Sequence, residues 1–155
     1  MDESWHDLTV AQCWERLRST SVVRVAAVLD DRLSVRPVNA AVDGGTLLLR
    51  TAADSWLASL GGRHVVAEAD GLDEPTGSDT RGQAWSVLVE GTARVITDPD
   101  ELLATYAVPV RPWQGSAKPT FLRIEPTGLT GRRFAVADPE IWASPFDEVR
   151  PSPPG

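Results

Sequence analysis

The sequence predicts a mainly β domain, an antiparallel barrel of about six strands plugged by short helices. Three observations lead there. Aliphatic and β-branched runs recur at short spacing, turn residues such as Asp30-Asp31-Arg32 and Asp43-Gly44-Gly45 separate them, and only brief segments carry a helical period.

The first of those helical segments is Leu8 to Leu17. Thr9 stands as N-cap with Gln12 three residues on, the spacing of a capping box. Val10, Cys13, Trp14 and Leu17 then share one face, so this helix must bury a stripe. Strands are expected at Val22–Leu29, Leu33–Asn39 and Thr46–Thr51, joined as hairpins. Pro37 removes a ladder donor inside the second run, which points to an edge, a bulge or a change of partner. A short helix is expected over Asp54–Leu60, stopped by Gly61-Gly62, and a fourth strand over His64–Asp70.

Residues 71–82 read as an exposed Gly- and Asp-rich loop. The long strand Trp85–Ile96 contains Gly91, the mark of a bend or a close backbone approach. Thr97-Asp98-Pro99-Asp100-Glu101, with a capping residue, an early Pro and acids in the first turn, opens a third helix reaching about Tyr106, and Thr120–Pro126 alternates as the sixth strand. One domain over residues 1–136 is expected, with an irregular, partly disordered Pro-rich tail over 137–155. So few strands leave exposed edges, which dimerisation would cover.

Composition narrows the function. Apolar residues make 42% and charged residues 24% of the chain, the profile of a soluble globular protein. The net charge is −7, and the basic residues, all Arg except Lys118, are scattered, so no footprint for nucleic acid exists. No apolar run approaches the ~18 residues needed to span a bilayer. The lone Cys13 fits a reducing compartment, and a cytoplasmic location with no membrane partner is expected.

Catalytic motifs are missing as well. With two His, one Cys and no Gly-x-Ser-x-Gly elbow, no nucleophilic triad can be assembled, and no metal-ligand spacing occurs. There is no dinucleotide glycine fingerprint and no Gly-Lys-Ser/Thr phosphate loop. Any chemistry must come from a bound cofactor.

Several spaced segments form a pattern: Arg36-Pro37-Val38-Asn39, Asp43-Gly44-Gly45, Leu49-Arg50-Thr51-Ala52 and Gly82 to Ala93. From about Thr9 to Phe134 the chain resembles the flavin-binding proteins related to pyridoxamine 5'-phosphate oxidase, particularly the small branch similar to nitroimidazole-reductase flavoproteins. The resemblance implies a six-stranded antiparallel split β-barrel that forms a homodimer with two cofactor sites at its interface. It implies an oxidoreductase using FMN, or alternatively the deazaflavin F420, with a small-molecule electron acceptor or substrate; a non-catalytic cofactor-binding module is the remaining alternative.

By the same resemblance, Arg36, Pro37, Val38 and Asn39 lie on the ring side of the cofactor. Arg50, Thr51, Ala52 and Ser55 lie on the phosphate side, with Trp85 and Ser86 coming from the fifth strand, and Arg132-Arg133 matches a C-terminal Gly-Arg-Arg-Phe segment of this branch. The Arg50 guanidinium, the Thr51 and Ser55 hydroxyls and the first amides of the helix after Asp54 would together make an anion site. The family loop reads Gly-Ser-Lys or Gly-Thr-Lys where this chain reads Asp54-Ser55-Trp56. In a shared geometry each change would cost about 1 kcal/mol or more of phosphate affinity. Trp56 reads as a packing residue, Trp113 as a lid or dimer contact, and Lys118 as a loop charge.

Overall fold

A computed structural model describes residues 5–75, 77, 82–111, 115 and 117–136. The elements are β1 (Trp5–Asp7), α1 (Val10–Arg18), β2 (Val22–Leu29), β3 (Arg32–Asp43), β4 (Thr46–Thr51), a 3-10 helix (Leu57–Leu60), β5 (His64–Asp73), β6 (Gln83–Val95), α2 (Pro99–Thr105) and β7 (Thr120–Ala135). All strand pairs are antiparallel, and the order β7-β4-β3-β2-β5-β6 closes on itself through β6 and β7. This ring is the expected six-stranded barrel.

Local chemistry makes the hairpins. Asp30 and Asp31 have φ of 51° and 57°, and Gly44 and Gly45 have φ of 54° and 77°. Two successive positive-φ residues make a turn whose twist matches the flanking strands, and Gly and Asp are among the residues that tolerate it. Arg32 belongs to the strand rather than to the turn, where it pairs with Leu29.

A seventh strand, β1, was not expected. It is three residues long and carries no period of its own, yet it pairs Trp5, His6 and Asp7 with Phe134, Arg133 and Arg132 of β7. β7 is also far longer than the alternating run Thr120–Pro126 suggested. Pro126 fails to end it because the ladder to β6 absorbs the proline at a bulge: Gly91 pairs with Pro126 and Glu90 with Gly128, leaving Thr127 as the extra residue. β5 likewise runs three residues into the expected loop, to Asp73. Residues 76 and 78–81 of that loop, Trp113 and the 137–155 tail lie outside the described residues.

The core fills the ring. Val23 and Val25 of β2, Leu47 and Leu49 of β4, Val65 and Ala67 of β5, Val87 and Val89 of β6 and Leu122 and Ile124 of β7 are buried inside, with Cys13 and Leu17 of α1 and Leu57 and Leu60 of the 3-10 helix as plugs. Leu48 faces the other way into a second cluster with Ile96, Val110 and Phe121, packed by Leu102 of α2. β4 is therefore buried on both faces, which is why it reads as an unbroken apolar run.

The capping box forms as expected. Thr9 N donates to Gln12 Oε1 (2.9 Å) and Gln12 N to Thr9 Oγ1 (3.3 Å). Of the expected stripe, Cys13 and Leu17 are buried and Trp14 is half-buried, but Val10, in the first turn, is 62% exposed. α2 is capped by Asp98, whose side chain accepts from Glu101 N at 2.9 Å.

A carboxylate network locks α2 to the sheet. Arg94 donates to both oxygens of Glu101 (2.9 Å each), and Arg123 donates through Nε to Glu101 and through Nη1 to Asp43 (2.9 and 2.8 Å). The Arg94 hydrogen bonds first, and the single one from Arg123 after them, outweigh the cost of burial and hold the Glu101 carboxyl down at about 2 from an ordinary 4.5. A folded-state value below the unfolded one stabilises fully above about pH 4.5, and that contribution is lost as pH falls toward 2. We expect Glu101→Gln to destabilise the fold by about 1–2 kcal/mol at pH 7, with the gap to wild type narrowing in urea unfolding at pH 3. A gap independent of pH would remove Glu101 from this role.

Gly91 sits at the bulge, and a Cβ there would strike the Glu125 carbonyl oxygen, a backbone atom that cannot step aside. Gly91→Ala should therefore cost about 1–3 kcal/mol in chemical denaturation. Gly115→Ala, with no atom of the other described residues within 4 Å of the added methyl, should leave stability nearly unchanged.

Candidate functional site

The site arises where two neighbouring strands part. β3 and β4 are paired from Asp43–Thr46 up to Ala40–Leu49, and there their ladder stops. Upstream of Ala40, β3 runs on beside β2 alone, from Asn39↔Val22 to Arg32↔Leu29. Downstream of Leu49, β4 runs on beside β7, pairing Arg50 with Phe121 and Thr51 with Thr120. Pro37 lies in the singly partnered half of β3, where a missing N–H is tolerated and where one strand edge lacks a strand partner among the described residues.

A cleft of about 300 Å³ opens in the gap, lined by Val22, Arg36, Pro37, Val38, Asn39, Arg50, Thr51, Ser55, Trp56, Leu57 and Lys118. Seven residues singled out from the sequence meet here: Arg36 to Asn39 from β3, Arg50 and Thr51 from β4, and Ser55 from the following turn. Ala52 does not line the cleft but shapes it, its carbonyl accepting from Ser55 N at 3.3 Å.

Trp85 and Ser86 lie elsewhere in the chain. Trp85 is only 6% exposed, packed against Gly71 with the Arg16 guanidinium 5.6 Å from its ring centroid. Ser86, opposite Arg132 in the ladder, lines a separate groove with Asp7, Leu88 and Thr130. Arg133 borders a further depression beside Arg16 and Asp73.

Electrostatics set the cleft apart. Arg36, Arg50 and Lys118 all line it, and none of them forms an ion pair among the described residues. Arg24, Arg94 and Arg123, by contrast, are each held by two carboxylates. The acid that the sequence placed beside the phosphate position, Asp54, is exposed and is absent from the described lining. Unpaired cations over low-dielectric walls of Val22, Pro37 and Val38 favour an anion.

The expected helix after Asp54 is instead a turn followed by four residues of 3-10 helix, with Trp56 at its start. Its amides offer less than the sequence suggested, because Ala58 N already donates to Ser55 Oγ at 3.1 Å. The hydroxyls offer more. Thr51 Oγ1 and Ser55 Oγ are 2.7 Å apart and share one hydrogen bond, so whichever donates, one hydroxyl proton is left for a ligand.

Two lining residues carry more than the sequence indicated. Trp56 holds the Arg36 guanidinium 5.4 Å from its ring centroid, and its Nε1 is buried with no partner among the described residues, an orphan donor beside the cleft. Lys118 is anchored by its carbonyl, which accepts from Arg50 Nε at 2.7 Å. Its status as the sole lysine was the one available signal, and it was a weak one.

Residues 9–133 match the family model for pyridoxamine 5'-phosphate oxidase. The chain belongs to that family. A solved structure of a candidate pyridoxamine 5'-phosphate oxidase from Corynebacterium glutamicum is 32% identical, with a TM-score of 0.74 over 89% of this chain and 99% of that one. The structure of the FAD-binding protein from Mycobacterium smegmatis is also 32% identical, with a TM-score of 0.69 over 83% of this chain and 97% of that one. An uncharacterized protein of Mycobacterium tuberculosis is 35% identical over 111 residues, 68% of each chain. No helix among the described residues is long and apolar enough to cross a membrane.

Proposed function

We propose that this chain is a flavin-dependent redox protein that holds a flavin nucleotide, FMN or FAD, in the cleft between β3 and β4. The observation that carries the reading is the set of cations Arg36, Arg50 and Lys118, without carboxylate partners among the described residues of a chain of net charge −7 and gathered at one apolar-walled gap. The FAD-binding M. smegmatis neighbour supports it.

The residues fit such a group. A flat ring suits the Pro37 and Val38 wall beside the β3 edge, and Trp56 Nε1, without a partner among the described residues, is a donor for an acceptor on the ligand. Arg50 and the spare Thr51–Ser55 proton would hold the phosphate at the other end. The flavin, when bound, supplies electron or hydride exchange, and the protein supplies position and charge. No acid or base of the chain is needed for that exchange.

Titration of ligand-free protein with FMN, FAD and F420, followed by fluorescence and native mass spectrometry, tests this. Uptake of about one flavin per subunit is expected, and Arg50→Ala should weaken it by about 1.5–3 kcal/mol, the worth of a hydrogen bond to a charged group. Binding of F420 alone, or of none of the three, would overturn the reading.

The homodimer belongs to the same proposal. Val28 (54% exposed), Leu33 (72%) and Val35 (59%) lie on one outer face of the β2–β3 hairpin, and the same face continues through Arg24↔Pro37 to Val22↔Asn39 at the cleft. An exposed apolar patch on the face that leads to the cleft supports a second copy seated there, with the ligand at the seam. The Leu33→Glu, Val35→Glu double variant should run as a monomer in light scattering and lose flavin, whereas a wild-type monomer would sink the interface.

A further inference from the structure

The loop position where the family pattern calls for a cation is Trp56 here, and its ring is covered by Arg36. The cleft nevertheless holds another cation on a segment distant in sequence. Lys118 stands two residues before β7, whose Thr120 pairs with Thr51, so the strand register brings Lys118 to the same end of the cleft as the Thr51–Ser55 hydroxyl pair. Arg50 completes the arrangement: its Nε holds the Lys118 carbonyl at 2.7 Å, while its terminal nitrogens make no hydrogen bond among the described residues.

We infer that Lys118 is the cation that grips the ligand's phosphate in this chain, and that Arg50, besides donating to the same phosphate, positions Lys118 for it. The inference rests on the flavin-nucleotide reading above. Its physical basis is the shape of the guanidinium, whose fork lets Nε fix a backbone carbonyl while both terminal nitrogens stay free for an anion. Half-buried Lys118 has no carboxylate partner among the described residues, so a phosphate would answer a charge that no described acid pairs. The loss of the loop cation at Trp56 is thereby compensated from another strand end.

Riboflavin separates the phosphate from the ring, since it carries the same heterocycle without the anion. Lys118→Ala should weaken FMN by about tenfold or more and reduce the salt dependence of its binding, with riboflavin affinity unchanged. Lys118→Arg should restore most of the FMN affinity. Arg50→Ala should cost more than Lys118→Ala, and adding Lys118→Ala to it should cost little further, because Lys118 is already out of place.

Equal loss of riboflavin and FMN in Lys118→Ala, or no loss of either, overturns the inference. Strictly additive losses in the double variant overturn the positioning by Arg50. Wild-type protein that binds riboflavin as well as FMN also overturns the inference while leaving the flavin reading intact, whereas wild type that binds none of riboflavin, FMN and FAD removes both.

Discussion

The architecture depends on one divergence in hydrogen bonding, the point at Ala40 and Leu49 where β3 and β4 stop sharing a ladder. A strand can satisfy only two neighbours at a time. β4 is drawn along β7 by Leu47, Leu49, Leu122 and Ile124, which bury inside the ring, while β3 is drawn along β2 by eight successive pairs. Neither can follow the other without exposing that core. The gap is thus the consequence of two well-packed ladders, and it leaves strand edge and strand end facing each other across a space that side chains alone do not fill.

Charge is distributed to match. Around α2 every major cation is spent on structure, with Arg94 and Arg123 converging on Glu101, and on the outer face of β2 Arg24 is spent on Glu68 and Asp70. In the cleft the cations are held instead by contacts that do not neutralise them: an indole face for Arg36, a backbone carbonyl and the Phe121 ring for Arg50. Aromatic rings and carbonyls orient a guanidinium while leaving its net charge available. An acidic protein can in this way keep a local positive potential at one place on its surface.

Packing also explains where the familiar motif residues went. Trp85 was grouped with the cleft by its place in a motif, but Gly71 across the β5–β6 ladder leaves room for its indole to lie flat, and Arg16 closes over it. Trp56 was expected to pack and does so, yet it also becomes the wall on which Arg36 rests. Each outcome follows from which neighbour the sheet brings opposite.

Much was legible in the sequence because its cause is local. The two hairpins followed from Asp30-Asp31 and Gly44-Gly45, the helix starts from Thr9 and Asp98, and the bend from Gly91, since turn geometry, capping and steric room are decided within a few residues. The strands of the ring and most of the cleft residues were visible for the same reason, aided by a recognisable order of motifs. What needed the tertiary structure was non-local: β1, too short to carry a period and defined only by β7; the continuation of β7 past Pro126, permitted by a bulge against β6; and Lys118, brought beside Thr51 and Ser55 by a strand register that no neighbouring residue encodes. Backbone preference belongs to the residue, but the company a side chain keeps is set by cross-strand pairing, and pairing is chosen by the whole buried core at once.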